Sequence, residues 1–326
     1  MSKKRDCLEQ FSSLTENHIS KLKEAGITGI PEVASCNEQQ LRVILDTTLN
    51  RAKMIITEAR KSLPDTVVLT LKDMEKGESR RYHVSTGVSS IDNLLGGKGF
   101  QSGVITQIAG EFGCGKSQIA LTACVRALND GVVVVVDTEG TWRRERILQI
   151  AQHQKVNLQK VDENFRIIQP LSSELQASSI RDFIDDEGTR INSIMNLNPD
   201  QKIVLLVIDS LTGLFRLDYP GRGVLAQRQH HLAQYIKNIY LFARKNNCAV
   251  LVTNQVVHSP DPYAPGGGMK PIGGNIIGHA CTVRTTIKKK RGLLRVLQMV
   301  DSAHLPVAEA LFMLDSNGVT DYEIPK

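Results

Sequence analysis

Six cysteines are scattered through 326 residues without a single C-x-x-C pair. That spacing argues against a zinc site or a disulfide scaffold and for a reducing, intracellular compartment. Long apolar runs are missing as well. VVVVV at 132–136 and KIVLLVI at 202–208 are strand-sized, too short to cross a bilayer, so no membrane partner is expected. The opening MSKKRDCLEQF lacks the apolar core of a secretory signal. No internal repeat is visible. Basic residues outnumber acidic ones, giving a net charge of +6, which tilts toward an anionic partner.

The length allows one large α/β domain plus a small one. Residues 1–62 read as a small helical domain. LTENHISKLKEAGI places Leu14, Ile19, Leu22 and Ile27 at helical spacing, with Gly26 ending the helix. LRVILDTTLNRAKMIITEARK gives two further helices around Asp46-Thr47-Thr48, with Asp46 as a cap. Residues 63–84 read as a linker containing one β-prone run, VVLTL. From residue 85 to 326, apolar strands alternate with helical stretches, the signature of a mostly parallel sheet covered on both faces. Strands are predicted at 104–109, 132–136, 203–208 and 249–253, each a near-continuous apolar run as two-sided burial requires. A polar residue follows each: Gly110, Asp137, Asp209 and Asn254-Gln255. Ligands of open α/β sheets bind beyond the carboxyl ends of the strands, so these residues are expected to converge.

GEFGCGKSQIA, at 110–120, meets the pattern G-x-x-x-x-G-K-[ST] with Gly110, Gly115, Lys116 and Ser117. An apolar strand precedes it and an apolar-periodic helix is predicted from Lys116, which is the context of a phosphate-binding loop. Gly110, Glu111, Phe112, Gly113, Cys114, Gly115, Lys116, Ser117 and Gln118 are therefore assigned to a nucleoside triphosphate. The glycines let backbone N–H groups converge on phosphate, Lys116 reaches the β/γ-phosphates and Ser117 ligates Mg²⁺. Cys114 is either a thiol activated by these cationic surroundings or simply a small residue that fits the turn. Asp209 has the position of the acid that holds the Mg²⁺ shell, and Ser210 follows it. Glu139, past the strand VVVVV, is the candidate to polarise an attacking water, while Asp137 caps or satisfies the turn. Gln255 is placed to sense the γ-phosphate, or else to bond backbone at its strand end.

Two segments exceed what nucleotide hydrolysis needs. FRLDYPGRGVLAQRQHHLAQYIK, 215–237, carries Arg216, Arg222 and Arg228 around Pro220-Gly221. QVVHSPDPYAPGGGMKPIGGNIIGHA, 255–280, is long, Pro- and Gly-rich, and holds Gly267, Lys270, Gly273 and Gly274. Tyr263 is its only aromatic, so phosphate contact, not base stacking, is expected to dominate on a flexible polyanion. KKKRG at 288–292 reads as a solvated turn.

GEFGCGKSQ, VDTEGTWRRERI, DYPGRGVLAQRQHHLA, TNQVV, PIGGNIIGHA and DSAHLPVAEALF stand in order over residues 85–326. This series resembles the RecA-type DNA recombinases of the archaeal RadA and eukaryotic strand-exchange branch. The resemblance implies a RecA-like P-loop ATPase core with a mostly parallel twisted sheet. Residues 8–62 resemble the family's small all-α helix-hairpin-helix domain. It implies an ATP- and Mg²⁺-dependent filament, or ring, of identical subunits on single-stranded DNA, which pairs duplex DNA and exchanges strands. Recombination mediators are implied partners, with a nuclear location for a eukaryotic source and a cytoplasmic one for an archaeal source.

By the same resemblance Lys116, Glu139 and Gln255 are catalytic, and Ser117 and Asp209 hold the metal. Arg146 packs on adenine, and Asp301–Pro306 caps the neighbour's ATP. Residues 216–228 and 256–278 are the DNA loops, and His279 links the γ-phosphate to the second. The family's linker anchor F-x-x-A falls on Val68 and Leu71, which keep a β-prone oligomerisation strand but lose the aromatic. The second N-terminal hairpin lacks the family's Gly, which disfavours a φ > 0 turn there and with it phosphate binding by residues 8–62. Two other classes compete with the recombinase: an ATP-binding paralogue that assists assembly without exchanging strands, and a hexameric motor.

Overall fold

The computed structural model describes residues 8, 11, 13–27, 29–36, 38–62, 70–184, 197, 201–221, 223–258 and 269–323. The chain divides into two compact units, Met1–Ser79 and Arg80–Lys326.

The first unit holds helices α1 (Glu16–Glu24), α2 (Ile30–Ser35), α3 (Glu38–Leu45), α4 (Leu49–Ser62) and α5 (Leu71–Ser79). A reciprocal cap starts α1: the Thr15 hydroxyl accepts from the His18 amide at 3.2 Å, and His18 Nδ1 accepts from the Thr15 amide. Gly26, at φ 75°, ends it as expected. Leu22, Leu41, Leu45, Ala52, Ile55 and Ala59 recur at helical spacing and pack as the unit's core.

Expectations fail at two places in this unit. The turn between α3 and α4 is left-handed without a glycine, because Asp46 itself adopts φ 49°. Asp is among the few residues that tolerate this region. The cap of α4 is Thr48, whose Oγ1 accepts from Arg51 N at 3.3 Å, not Asp46. Asp46 leaves its carboxylate exposed, 4.0 Å from Lys21 Nζ. An anion at this turn opposes phosphate, so its shape survives while its charge is wrong.

The second failure concerns the linker. Leu71 begins α5 and is 84% exposed, so it does not lie in a strand. LKDMEKGES is rich in straight-chain helix formers, and a lone β-prone run has no partner to pair with in a single chain. Val68 lies outside the described residues.

The second unit contains β1 (His83–Val84), α6 (Ser89–Leu94), β2 (Phe100–Gln101), β3 (Ile105–Gly110), α7 (Lys116–Ala127), β4 (Val132–Asp137), α8 (Arg144–His153), α9 (Leu158–Asn164), β5 (Phe165–Ile168) and α10 (Ser173–Ile184). There follow β6 (Ile203–Asp209), α11 (Gly213–Asp218), α12 (Leu225–Lys245), β7 (Ala249–His258), β8 (Met269–Pro271), α13 (Gly274–Ala280), β9 (Val283–Lys289), β10 (Leu294–Ser302), β11 (Glu309–Asp315) and β12 (Gly318–Asp321). One sheet runs β12-β11-β10-β9-β3-β7-β6-β4-β5, with β8 paired to the end of β7. From β9 to β5 neighbours are parallel, and β10 to β12 continue the sheet antiparallel. The four predicted strands are β3, β4, β6 and β7, and they stand side by side at its centre.

Strand alternation divides the apolar side chains between two cores. Val133, Val135, Leu205 and Val207 pack with α7, whereas Val132, Val134, Val136, Leu206 and Ile208 pack with α12 through Tyr235, Ile239 and Phe242. Both faces are covered, which is why these strands read as unbroken Val, Ile and Leu. Lys288 and Lys289 end β9 and Lys290 to Gly292 turn into β10, as the solvated-turn reading expects. Among the described residues, no helix is long and apolar enough to cross a membrane.

Candidate nucleotide site and nucleic-acid segments

The carboxyl ends of β3, β4, β6 and β7 meet at one cleft of about 410 Å³, lined by Lys116, Ser117, Gln118, Glu139, Arg146, Asp209 and Gln255 among others. Gly110 leaves β3 fully enclosed. A Cβ there would stand 2.7 Å from Ile287 and 2.8 Å from Cys114 Sγ, so only glycine fits. Gly113 and Gly115 take φ values of 68° and 111°, and the loop wraps toward the first turn of α7. Lys116 Nζ donates to the carbonyls of Gly110 at 2.9 Å and Glu111 at 2.8 Å, folded back over the loop it belongs to. Phe112 and Gly113 are exposed at the rim, and Glu111, also exposed, lines a neighbouring cavity.

Cys114 is 1% exposed, and burial raises its thiol pKa despite the nearby Lys116 ammonium. The activated-thiol alternative therefore falls and the packing one stands. With the pKa raised, the thiolate stays scarce at mildly alkaline pH. Peptide mapping after iodoacetamide treatment at pH 8 is expected to find Cys114 unmodified in the folded chain and modified once denaturant is added.

Asp209 is 2% exposed, and each carboxylate oxygen has a donor: Thr253 Oγ1 on Oδ1 and Trp142 Nε1 on Oδ2, the latter at 2.9 Å. Neither donor is among the candidate residues read from the sequence. Asp137 works as the turn's anchor, accepting from the amides of Glu139, Thr141 and Trp142 at 3.2–3.3 Å and from Gln169 Nε2. That turn presents Glu139 to the cleft. Glu139 Oε1 accepts from Ser210 Oγ at 3.0 Å and from Gln255 Nε2 at 3.2 Å. Gln255 thus bonds side chains, not backbone. Its Oε1 accepts in turn from Arg216 Nη1 at 3.3 Å. One hydrogen-bonded line joins the first basic segment to the candidate water-polarising carboxylate.

Arg146 projects from α8 at the rim, where its guanidinium donates to Gln118 Oε1 at 2.9 Å, to Asp315 O at 2.8 Å and to Ser316 O. Partial burial lowers its pKa, and the Asp315 carboxylate opposes that shift. The contacts make Arg146 a clip between the P-loop helix and the β11–β12 turn.

The remaining candidates lie elsewhere. Asp301, His279, Lys270 and Gly274 line a separate cavity of about 580 Å³, and Pro306 is exposed. Asp301 pairs with Arg284 at 3.5 Å. Gly273, at φ 93°, turns the chain into α13, where a Cβ would meet Ile277 at 2.2 Å. Arg228 is half-buried on α12. Arg222 and Gly267 lie outside the described residues.

A phosphate loop between β3 and α7, an acid ending β6 and a carboxylate past β4 on one mostly parallel sheet define a RecA-like P-loop core. A family model described as Rad51 matches residues 78–322. The DNA repair and recombination protein RadA of Methanococcus voltae is 36% identical over 336 aligned residues, covering 97% of this chain and 99% of the relative. The RadA of Cenarchaeum symbiosum (strain A) is 36% identical over 316, covering 93% and 76%. The meiotic recombination protein DLH1 of Candida albicans is 34% identical over 329, covering 96% and 95%. The chain belongs to the Rad51 family of RecA-type recombinases.

Proposed function

We propose that this chain is an ATP-dependent DNA strand-exchange recombinase that forms helical filaments on single-stranded DNA, for homologous recombination and double-strand-break repair. The observation that carries the reading is the line Arg216–Gln255–Glu139 in a cleft that also holds Lys116, Ser117 and Asp209. A P-loop alone needs no such link to a basic segment. The cleft fits a nucleotide: glycines keep the loop open to phosphate, and Lys116 supplies a cation at its floor. Ser117 and Asp209 offer the oxygen donors that suit Mg²⁺. The metal, when bound, neutralises phosphate charge. Lys116 would hold the phosphates, Glu139 would orient and polarise the attacking water, and Gln255, bonded to Glu139, would sense the γ-phosphate.

Asp301, Pro306 and His279 stand apart from this cleft in one chain, which suits a role at a neighbour's nucleotide. ATP at such a seam binds the assembled state better than the free one and so drives assembly. A head-to-tail seam that does not close yields a helix. Leu71, exposed, and Val68 belong to the linker proposed to join protomers. The DNA segments are Arg216–Arg228 and 256–278. An intracellular location, nuclear or cytoplasmic according to source, and mediator partners follow from the same reading.

Electron microscopy with single-stranded DNA, with and without a non-hydrolysable ATP analogue, tests the proposal. Regular filaments with the analogue are expected. A chain that binds ATP yet leaves the DNA bare is the accessory paralogue instead. Salt gives a second measure. With roughly three phosphates neutralised per protomer, log affinity for single strands should fall against log salt with a slope of about −2. A flat salt titration removes the two basic segments from the account.

A further inference from the structure

The chain's single tryptophan is almost wholly buried. Trp142 donates its indole N–H to Asp209 Oδ2 at 2.9 Å, and its backbone amide donates to Asp137 Oδ2 at 3.3 Å. Its ring centroid lies 6.1 Å from that of Phe165. The indole is thus fixed from the ends of β4 and β6 and from β5, and it still forms part of the cleft wall beside Thr141 and Arg143.

We propose that Trp142 is a positioning residue for the divalent metal of the nucleotide site, and a built-in reporter of that metal. The inference rests on the nucleotide reading of the cleft and goes beyond it. A carboxylate at the end of a strand turns freely about its last bond, where the torsion is broad. Asp209 has lost that freedom, because a neutral donor holds each of its oxygens. The metal shell therefore meets a carboxylate held in one orientation. A phenylalanine at 142 would fill most of the same space but leave a buried acceptor without its donor, which is the costly half of a broken hydrogen bond. Partners that orient a metal-holding side chain are worth roughly 10- to 100-fold in metal affinity.

The test uses the full-length chain saturated with a non-hydrolysable ATP analogue in chelator, titrated with Mg²⁺ while tryptophan emission is followed. Emission from Trp142 is expected to change saturably, with the same midpoint as the Mg²⁺ binding seen by calorimetry. In Trp142→Phe, also held at saturating analogue, the calorimetric Mg²⁺ midpoint should rise by about tenfold or more. Thr253→Val removes the other donor and keeps the fluorophore, so it should raise the midpoint as well and remains informative where Trp142→Phe does not fold. Metal-dependent analogue binding with silent emission, or unshifted midpoints in the variants, overturns the proposal and leaves the nucleotide reading intact. A wild-type chain that binds no analogue overturns both.

Discussion

A Lys116→Ala chain is expected to bind ATP hundreds of times more weakly than wild type and to form no ATP-supported filaments on single-stranded DNA. The reason is local. Lys116 is 9% exposed, and its ammonium has two loop carbonyls as its oxygen partners. Removing one partner of a hydrogen-bonded charge pair costs about 2–5 kcal/mol, or roughly 30- to several-thousand-fold in affinity. Arg143 and Arg146 also line the cleft, but Arg146 is committed to the Asp315 and Ser316 carbonyls and to Gln118. Neither is placed to replace a cation at the floor of the loop. Equilibrium binding of a fluorescent ATP analogue checks the first effect and microscopy the second. Tryptophan emission in chelator gives an independent check that the cleft is folded, since the Trp142 indole donates to Asp209, an acid outside the loop. Wild-type affinity in this variant would move the nucleotide out of the cleft.

The centre of the sheet and the place of the cleft at its carboxyl end were legible because burial on two faces forces a simple code. Strands β3, β4, β6 and β7 are unbroken apolar runs, and the chemistry sits where they stop. The outer antiparallel strands hid because only one residue in two is buried. EALF at the start of β11 alternates exposed and buried positions, with Glu309 among the exposed ones. Leu71 misled for a different reason. β-propensity describes fit to a neighbouring strand, and a lone chain offers the linker none, so helix formation wins. At Asp46 the rule that left-handed turns want glycine met one of its tolerated exceptions. The donors on Asp209 were invisible to motif reading, since Trp142 and Thr253 reach it from separate loops and strands. Arg216 and Gln255 were each legible singly, 39 positions apart, but their contact is a property of the fold.

Glu139→Gln is expected to keep ATP binding and filament assembly while slowing hydrolysis by at least ~100-fold, the scale of a lost general base. The substitution is nearly isosteric. A glutamine carbonyl at the position of Oε1 still accepts from Ser210 Oγ and from Gln255 Nε2, so the cleft keeps its shape. What disappears is the negative charge that draws a proton from water. The effect should therefore fall on kcat and leave the affinity for a non-hydrolysable analogue as it was. Assembly and disassembly then separate. On the proposed reading ATP should continue to favour the joined protomers while the step that weakens the seam is slowed, so filaments on DNA should outlive those of wild type. Steady-state phosphate release measures the first part, and the decay of filaments after dilution measures the second. Turnover at the wild-type rate would exclude Glu139 as the water-polarising group. Slow turnover with normal filament decay would keep its catalytic role and detach hydrolysis from release of DNA.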